Sequence, residues 1–230
     1  MDLIYCAGGN IGLQRIALEE GWQLGQRSDA TPSPFNMTFI DINYKKADFE
    51  RHLEIVRLFR PKYATVPDLS AKQTDLSEIK RAMKQYEQLA EYCEVPLVVP
   101  KLSEQLQLLP PDVAIGFSVP SSYGAAQFLP WELAGRRVHL LGGSPKRQME
   151  LYRYISIFAT VTSVDGNYAQ LMATKFAEYW EAGRWHNHPA IEEKKENLYY
   201  ECWRISCRNL RQAWEKITGK AECAVPCKER

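Results

Sequence analysis

The feature that most constrains this chain is a repeated alternation of short β-rich apolar runs with longer stretches of helical spacing. The runs are Leu3 to Ala7, Met37 to Ile40, Tyr63 to Val66, Pro96 to Val99, Val113 to Gly116, Val138 to Leu141 and Ala159 to Ser163. The stretches over 11–20, 46–59, 71–93, 145–158 and 167–181 repeat apolar residues every three or four positions, as Phe49, Leu53, Val56 and Phe59 do. Strands joined by crossover helices run parallel, and a parallel sheet must be covered on both faces or closed on itself. No strand leads into a GxGxxG turn with an acid about 20 residues on, the dinucleotide fingerprint of a doubly wound sheet. The expected fold class is therefore α/β, a TIM-like (β/α) barrel, closed or incomplete.

The barrel is expected to occupy residues 1–182. From Gly183 the pattern changes: Trp185-His186-Asn187-His188-Pro189 reads as a break, and a charged helix follows from about Ile191 to Ile217. Residues 183–230 are thus read as a C-terminal helical extension packed on the barrel. A hydrophobic share of 45% in 230 residues suffices for one core of this size.

Lys and Arg total 29 against 28 Asp and Glu, so no summed field draws in a polyanion, and any nucleic-acid contact needs a local patch. Arg136-Arg137, Lys146-Arg147 and Arg204 to Arg211 are the candidates, the last two reading equally well as solvated helix faces. An acid at position two and the early Gly8-Gly9 leave no room for the apolar core of a signal peptide. No segment approaches the ~18 apolar residues of a membrane span. A cytoplasmic protein with reduced cysteines is expected.

Polar residues fall where strands end. Asp41 follows Ile40, Asp68 follows Val66-Pro67, Ser118 follows Gly116-Phe117, Gly142-Gly143-Ser144 follows Leu141, and Asp165-Gly166-Asn167 follows Ser163-Val164. Cys6-Ala7-Gly8-Gly9-Asn10 closes the first strand in the same way. In a parallel barrel these ends share one face, so the groups converge on one cavity. Asp68 and Asp165 each also precede a helix and can be read as caps on its free amides. Three carboxylates brought together raise one another's pKa at a cost in stability, which favours a chemical role. Gly142-Gly143-Ser144-Pro145 opens a helix with proline at its first position, so its amides suit a phosphate or polarised carbonyl; a plain tight turn explains the same residues.

No metal or other cofactor is expected. Zinc is an alternative through Cys202, Cys207, Cys223 and Cys227, but the first pair lies five apart on a helix, roughly 140° around the axis, which is poor for two ligands of one ion. His186 and His188 read as loop residues and His139 as a hydrogen-bonded core residue.

In order along the chain, these stations resemble the tRNA-guanine transglycosylase superfamily, and more closely its compact relatives that insert 7-deazaguanines into DNA, with a phage-type group that opens on a similar Ala-Gly-Gly-Asn segment. Val138-His139-Leu140-Leu141-Gly142-Gly143-Ser144-Pro145, then Thr162-Ser163-Val164-Asp165, resembles the family's strand and glycine turn and the strand bearing its nucleophilic aspartate. Phe39-Ile40-Asp41, Val66-Pro67-Asp68 and Gly116-Phe117-Ser118-Val119 fit its first catalytic aspartate, its base-recognising aspartate and its base-binding loop. The resemblance spans roughly residues 1–180. It departs at Ile42-Asn43-Tyr44, where the family has a serine and two glycines, and it lacks the family's zinc-ligand run.

The resemblance implies that Asp165 attacks C1′ of a guanosine nucleotide, that Asp41 handles protons on the departing and arriving base, and that Asp68 accepts from the N–H edge of the base. Gly116, Phe117 and Ser118 would address its carbonyl, with Phe117 or Tyr123 stacking on the ring. Gly142, Gly143, Ser144, Asn167, Gly8, Gly9 and Asn10 complete the expected substrate-binding set. Implied partners are nucleic acid (DNA over tRNA), a 7-deazaguanine base, and a partner protein or second copy of the chain, with no membrane. Two other readings stay open. One is a barrel enzyme acting on a small phosphorylated metabolite held at Gly142 to Ser144. The other is a non-catalytic accessory protein docking through Trp180, Trp185, Trp203 and Trp214.

Overall fold

In the computed structural model residues 1–7, 9–121, 125–190 and 197–219 are described. Eight parallel strands follow one another around a closed barrel: β1 (Asp2–Ala7), β2 (Gln23–Arg27), β3 (Phe39–Asp41), β4 (Tyr63–Thr65), β5 (Val95–Val98), β6 (Ala114–Ser118), β7 (Arg137–Leu141) and β8 (Thr160–Gly166). β8 closes the ring on β1, with Ile4 opposite Asp165. Helices α1 (Ile11–Glu19), α2 (Phe49–Phe59), α3 (Leu76–Ala90), α4 (Ser103–Leu108), α5 (Pro145–Ile155) and α6 (Tyr168–Phe176) follow β1, β3, β4, β5, β7 and β8. The expected TIM-like barrel is thus present and complete. No described helix is long and apolar enough to cross a membrane.

Alternate strand residues point in and out. Ile4, Phe39, Tyr63, Leu97 and Ala114 fill the interior, with Cys6, Val95 and Leu141 packed against them. Outward residues such as Tyr5, Leu24, Ile40, Val98, Ile115 and Leu140 join the helices in a second, larger core. At the N-terminal end of the barrel the Asp2 carboxylate accepts from Lys62 Nζ at 2.8 Å and Tyr63 Oη at 2.9 Å, a polar plug of the kind that serves stability at this end.

Three differences from the sequence reading have physical causes. β2 was not expected, because Gln23-Leu24-Gly25-Gln26-Arg27 lacks β-branched residues; it is held by ladders on both sides, and Gly25 leaves room for Ile4 and Phe39, each 3.1 Å from where its Cβ would stand. The helix expected over 71–93 starts only at Leu76, where Asp75 accepts from Ser77 N. The helix expected over 167–181 stops at Phe176, and Ala177 turns left-handed at φ 51. A hairpin of β9 (Glu178–Glu181) and β10 (Arg184–Asn187) follows, turned by Ala182 and Gly183 with φ of 49 and 86, the two positive values of a type I′ turn. The expected break at Trp185 is therefore a strand, and the 182/183 boundary falls in its turn.

The C-terminal helix α7 (Leu198–Ile217) packs on α1, α5, α6 and β9. Trp203 Nε1 donates to Leu13 O and Trp22 Nε1 to Cys207 O, both at 2.9 Å. Trp180, Trp203 and Trp214 are buried in this packing, and Trp185 lies edge-on to Trp180 at 5.0 Å. Trp180, Trp203 and Trp214 thus hold the extension to the barrel and do not themselves present a docking face.

Candidate functional site at the barrel mouth

The inward alternation that fills the barrel puts polar side chains in its last layer, at the C-terminal strand ends. Asp165 lies within β8 and caps no helix; the cap position of α6 belongs to Asn167. Its Oδ1 accepts from the Gly142 backbone N at 3.0 Å and pairs with His139 Nε2 at 3.1 Å. His139 is fully buried, its ring 4.7 Å from that of Phe39, and its Nδ1 meets Ser163 Oγ at 2.6 Å. A Ser163 hydroxyl donating to Nδ1 leaves Nε2–H to donate to an ionised Asp165. Gln148 Nε2 then ties the glycine turn to the end of β8, donating to the carbonyls of Gly142 and Asp165 at 2.6 Å each. Asp165 is held at its carboxylate and at its backbone.

Asp41, at the end of β3, accepts from Thr65 Oγ1 at 2.8 Å, and Thr65 Oγ1 accepts in turn from Ile42 N at 3.0 Å. Burial, reinforced by the charge of Asp165, pushes its pKa up to about 8 against the pull of the Thr65 hydroxyl. Burial and the same two acids push the Cys6 thiol far above its usual range, with Arg27 opposing. At neutral pH the mouth therefore holds a thiol, a protonated Asp41 and a buttressed Asp165. A carboxylic acid that keeps its proton beside a second carboxyl group allows the two to divide the roles of acid and nucleophile.

The second wall comes from the loops after β4, β5 and β6. Asp68 is no helix cap: its Oδ2 lies 2.6 Å from Lys101 Nζ, which also donates to Ser118 Oγ at 2.5 Å. The sequence reading named Asp68 and Ser118 but missed Lys101 between them. Its signal was present, because Val98-Val99-Pro100-Lys101 is a strand followed by a polar residue like the others.

Several expected site residues have structural duties instead. Phe117 points outward and packs edge-on against Phe128 at 5.5 Å, because alternation turns only Ala114, Gly116 and Ser118 inward; it does not stack in the mouth. Gly142 and Gly143 adopt φ of 60 and 82, and the Gly142 amide is taken by Asp165, so it is not free for a phosphate. Ser144 caps α5 through Arg147 N and Asn10 caps α1 through Leu13 N. Gly116 lines the interior against Leu141 and Val99, and Gly9 and Asn167 are exposed at the rim. Gly8 and Tyr123 lie outside the described residues.

Two of the three expected basic patches are engaged within the fold. Arg136 is buried and donates to the carbonyls of Leu106, Leu109 and Pro110 at the end of α4, while Arg204 and Arg208 clamp Glu20. Exposed cations do stand beyond the strand ends, at Lys45 and Lys46 after β3, Lys72 after β4, and Lys146 and Arg147 in the first turn of α5, where Arg147 pairs with Glu150 at 3.3 Å. Among the described residues no group of three or more His, Cys, Asp or Glu is placed to hold a metal. Cys202 and Cys207 are buried in α7, and Cys223 and Cys227 lie outside the described residues. His186 stacks on Tyr179 at 5.7 Å, and His188 Nδ1 accepts from Ala190 N at 3.2 Å.

Over residues 17–215 the chain matches the sequence profile of a family of unknown function (DUF6610). No curated protein matches it.

Proposed function

The chain belongs to DUF6610, a family of unknown function, and we propose that it is a glycosyl-transferring enzyme that replaces guanine with a 7-deazaguanine in nucleic acid, DNA in preference to tRNA. The observation that carries this reading is the division between two acids at one barrel mouth: Asp165 buttressed by the Gly142 amide and His139, Asp41 kept protonated to about pH 8. That pairing suits displacement at an anomeric carbon, where one carboxylate attacks and one carboxylic acid protonates the leaving group.

In the first half-reaction Asp165 Oδ forms a bond to C1′ as the C1′–N bond breaks, and the electron pair leaves with the base, which takes the proton of Asp41. In the second, Asp41 recovers a proton from the incoming base, whose nitrogen attacks C1′ and releases Asp165. The amide and imidazole donors keep the carboxylate in place while positive charge builds on the sugar. The target nucleotide has to leave the stack to reach this depth, and exposed lysines after β3 and β4 and at the start of α5 would meet the flanking phosphates.

The reading is tested by following release of labelled guanine from DNA and from tRNA, with a 7-deazaguanine base present. Release that requires Asp165, and is lost in Asp165→Ala, supports it; absence of release from both polymers overturns it.

A further inference from the structure

Lys101 has little room to be incidental. Its side chain is 11% exposed, its backbone N–H donates to Gln105 Oε1 at 2.7 Å, and its carbonyl accepts from Gln127 N at 2.7 Å. The same two glutamines brace the neighbouring loops: Gln105 Nε2 donates to Ser70 O at 2.7 Å and Gln127 Nε2 to Ala71 O at 3.2 Å. Three loops are thereby fixed around one ammonium group. A buried ion pair seldom stabilises a fold more than apolar residues of the same volume would, so so much bracing around this one points to a ligand.

The ammonium carries three protons, and the described residues take two, through Asp68 Oδ2 and Ser118 Oγ. Asp68 can still accept at Oδ1, and Ser118, accepting from Lys101, keeps its own hydroxyl proton to give. The wall thus sets a carboxylate acceptor directly beside an ammonium donor. The complementary ligand edge is an N–H beside a C=O, the lactam edge of guanine, hypoxanthine and 7-deazaguanines; adenine entering the same way round offers its donor and acceptor in the reverse order.

We infer that Lys101 is a specificity-determining residue that donates to the ring carbonyl of a lactam-type base while its partner Asp68 accepts from the adjacent N–H. The inference rests on the base-exchange reading for its ligand class but not on the chemistry of Asp165. An anionic ligand suits the wall less well, because it would compete with Asp68 for the ammonium.

The test is calorimetric titration of the whole protein with free guanine, hypoxanthine, adenine and O6-methylguanine. Wild type should bind the two lactam bases and hold adenine and O6-methylguanine at least 10-fold more weakly. Lys101→Met should weaken hypoxanthine binding about 30-fold, as loss of one charged hydrogen bond does, and leave adenine unchanged. Because Lys101→Met strands the Asp68 charge, the double variant Lys101→Met, Asp68→Asn is measured beside it and should show the same loss of discrimination. Equal binding of lactam and non-lactam bases by wild type, no binding of either, or an unaltered ratio in the folded variants, overturns the inference. Guanine release that needs Asp165 would leave base exchange standing in that case, and lactam binding without any release would remove base exchange and leave the Lys101 wall.

Discussion

Replacing Asp41 with Asn should stabilise the protein, and by an amount that depends on pH in one particular direction. In the unfolded chain Asp41 loses its proton near the ordinary 3.8; in the folded protein it keeps it to about 8. The folded state therefore binds more protons between these values, and wild-type stability falls as pH rises through that window. At 1.36 kcal/mol per unit, the interval caps the effect at about 6 kcal/mol. Asp41 keeps some contact with solvent at the mouth, and water there screens the penalty, so about 2–3 kcal/mol is the working figure. Asn removes the titration while its Oδ1 still accepts from Thr65. Urea unfolding of both proteins from pH 4 to pH 9 should give curves that coincide near pH 4 and separate steadily to about pH 8, the variant being the more stable. A difference that is constant with pH, or a less stable variant at pH 8, would refute a protonated Asp41, and with it the proton supply for base departure.

His52 is fully buried in α2, neither ring nitrogen makes a well-directed hydrogen bond among the described residues, and burial lowers its pKa to about 4. The unfolded chain takes up that proton first, so stability should drop by roughly 3 kcal/mol between pH 6.5 and pH 4, and His52→Gln should flatten this limb of the urea-derived profile. Gly143→Ala meets both a φ of 82 and a clash of the new Cβ with Val119 Cγ1; a loss of about 2–4 kcal/mol is expected, and an unchanged Tm would contradict the close packing of the β7 turn. Arg136→Met strands three carbonyls at the end of α4 and should cost about 3 kcal/mol in urea unfolding, while the DNA affinity of the folded variant, measured by fluorescence anisotropy, stays at the wild-type value.

Much of the fold was legible because a parallel barrel writes itself as alternation, and seven of its strands are apolar enough to stand out. β2 was not, since its inward residues are Gln23, Gly25 and Arg27, which gain their place only from neighbouring ladders. The hairpin after α6 was hidden because Glu178 to Glu181 continues a helical spacing, and the turn at Ala182-Gly183 is a weak local signal. In the site, the rule that polar residues at strand ends share one face found Asp41, Asp68, Ser118 and Asp165, and applied to β5 it would have found Lys101. It could not tell inward from outward, so Phe117 was included and His139 was read as core alone. His139 is core, but its ring reaches one layer up to Asp165. Nor could it say which amides were already engaged: Gly142 holds Asp165, and Ser144 holds its own helix.

The most direct measurement is mass spectrometry of the protein after reaction with a guanine-containing DNA oligonucleotide and denaturing quench, without an incoming base. A covalent sugar adduct on the peptide that contains Asp165, absent in Asp165→Asn, is the predicted result. An adduct on another residue, or guanine release that proceeds with no adduct at Asp165, would contradict it.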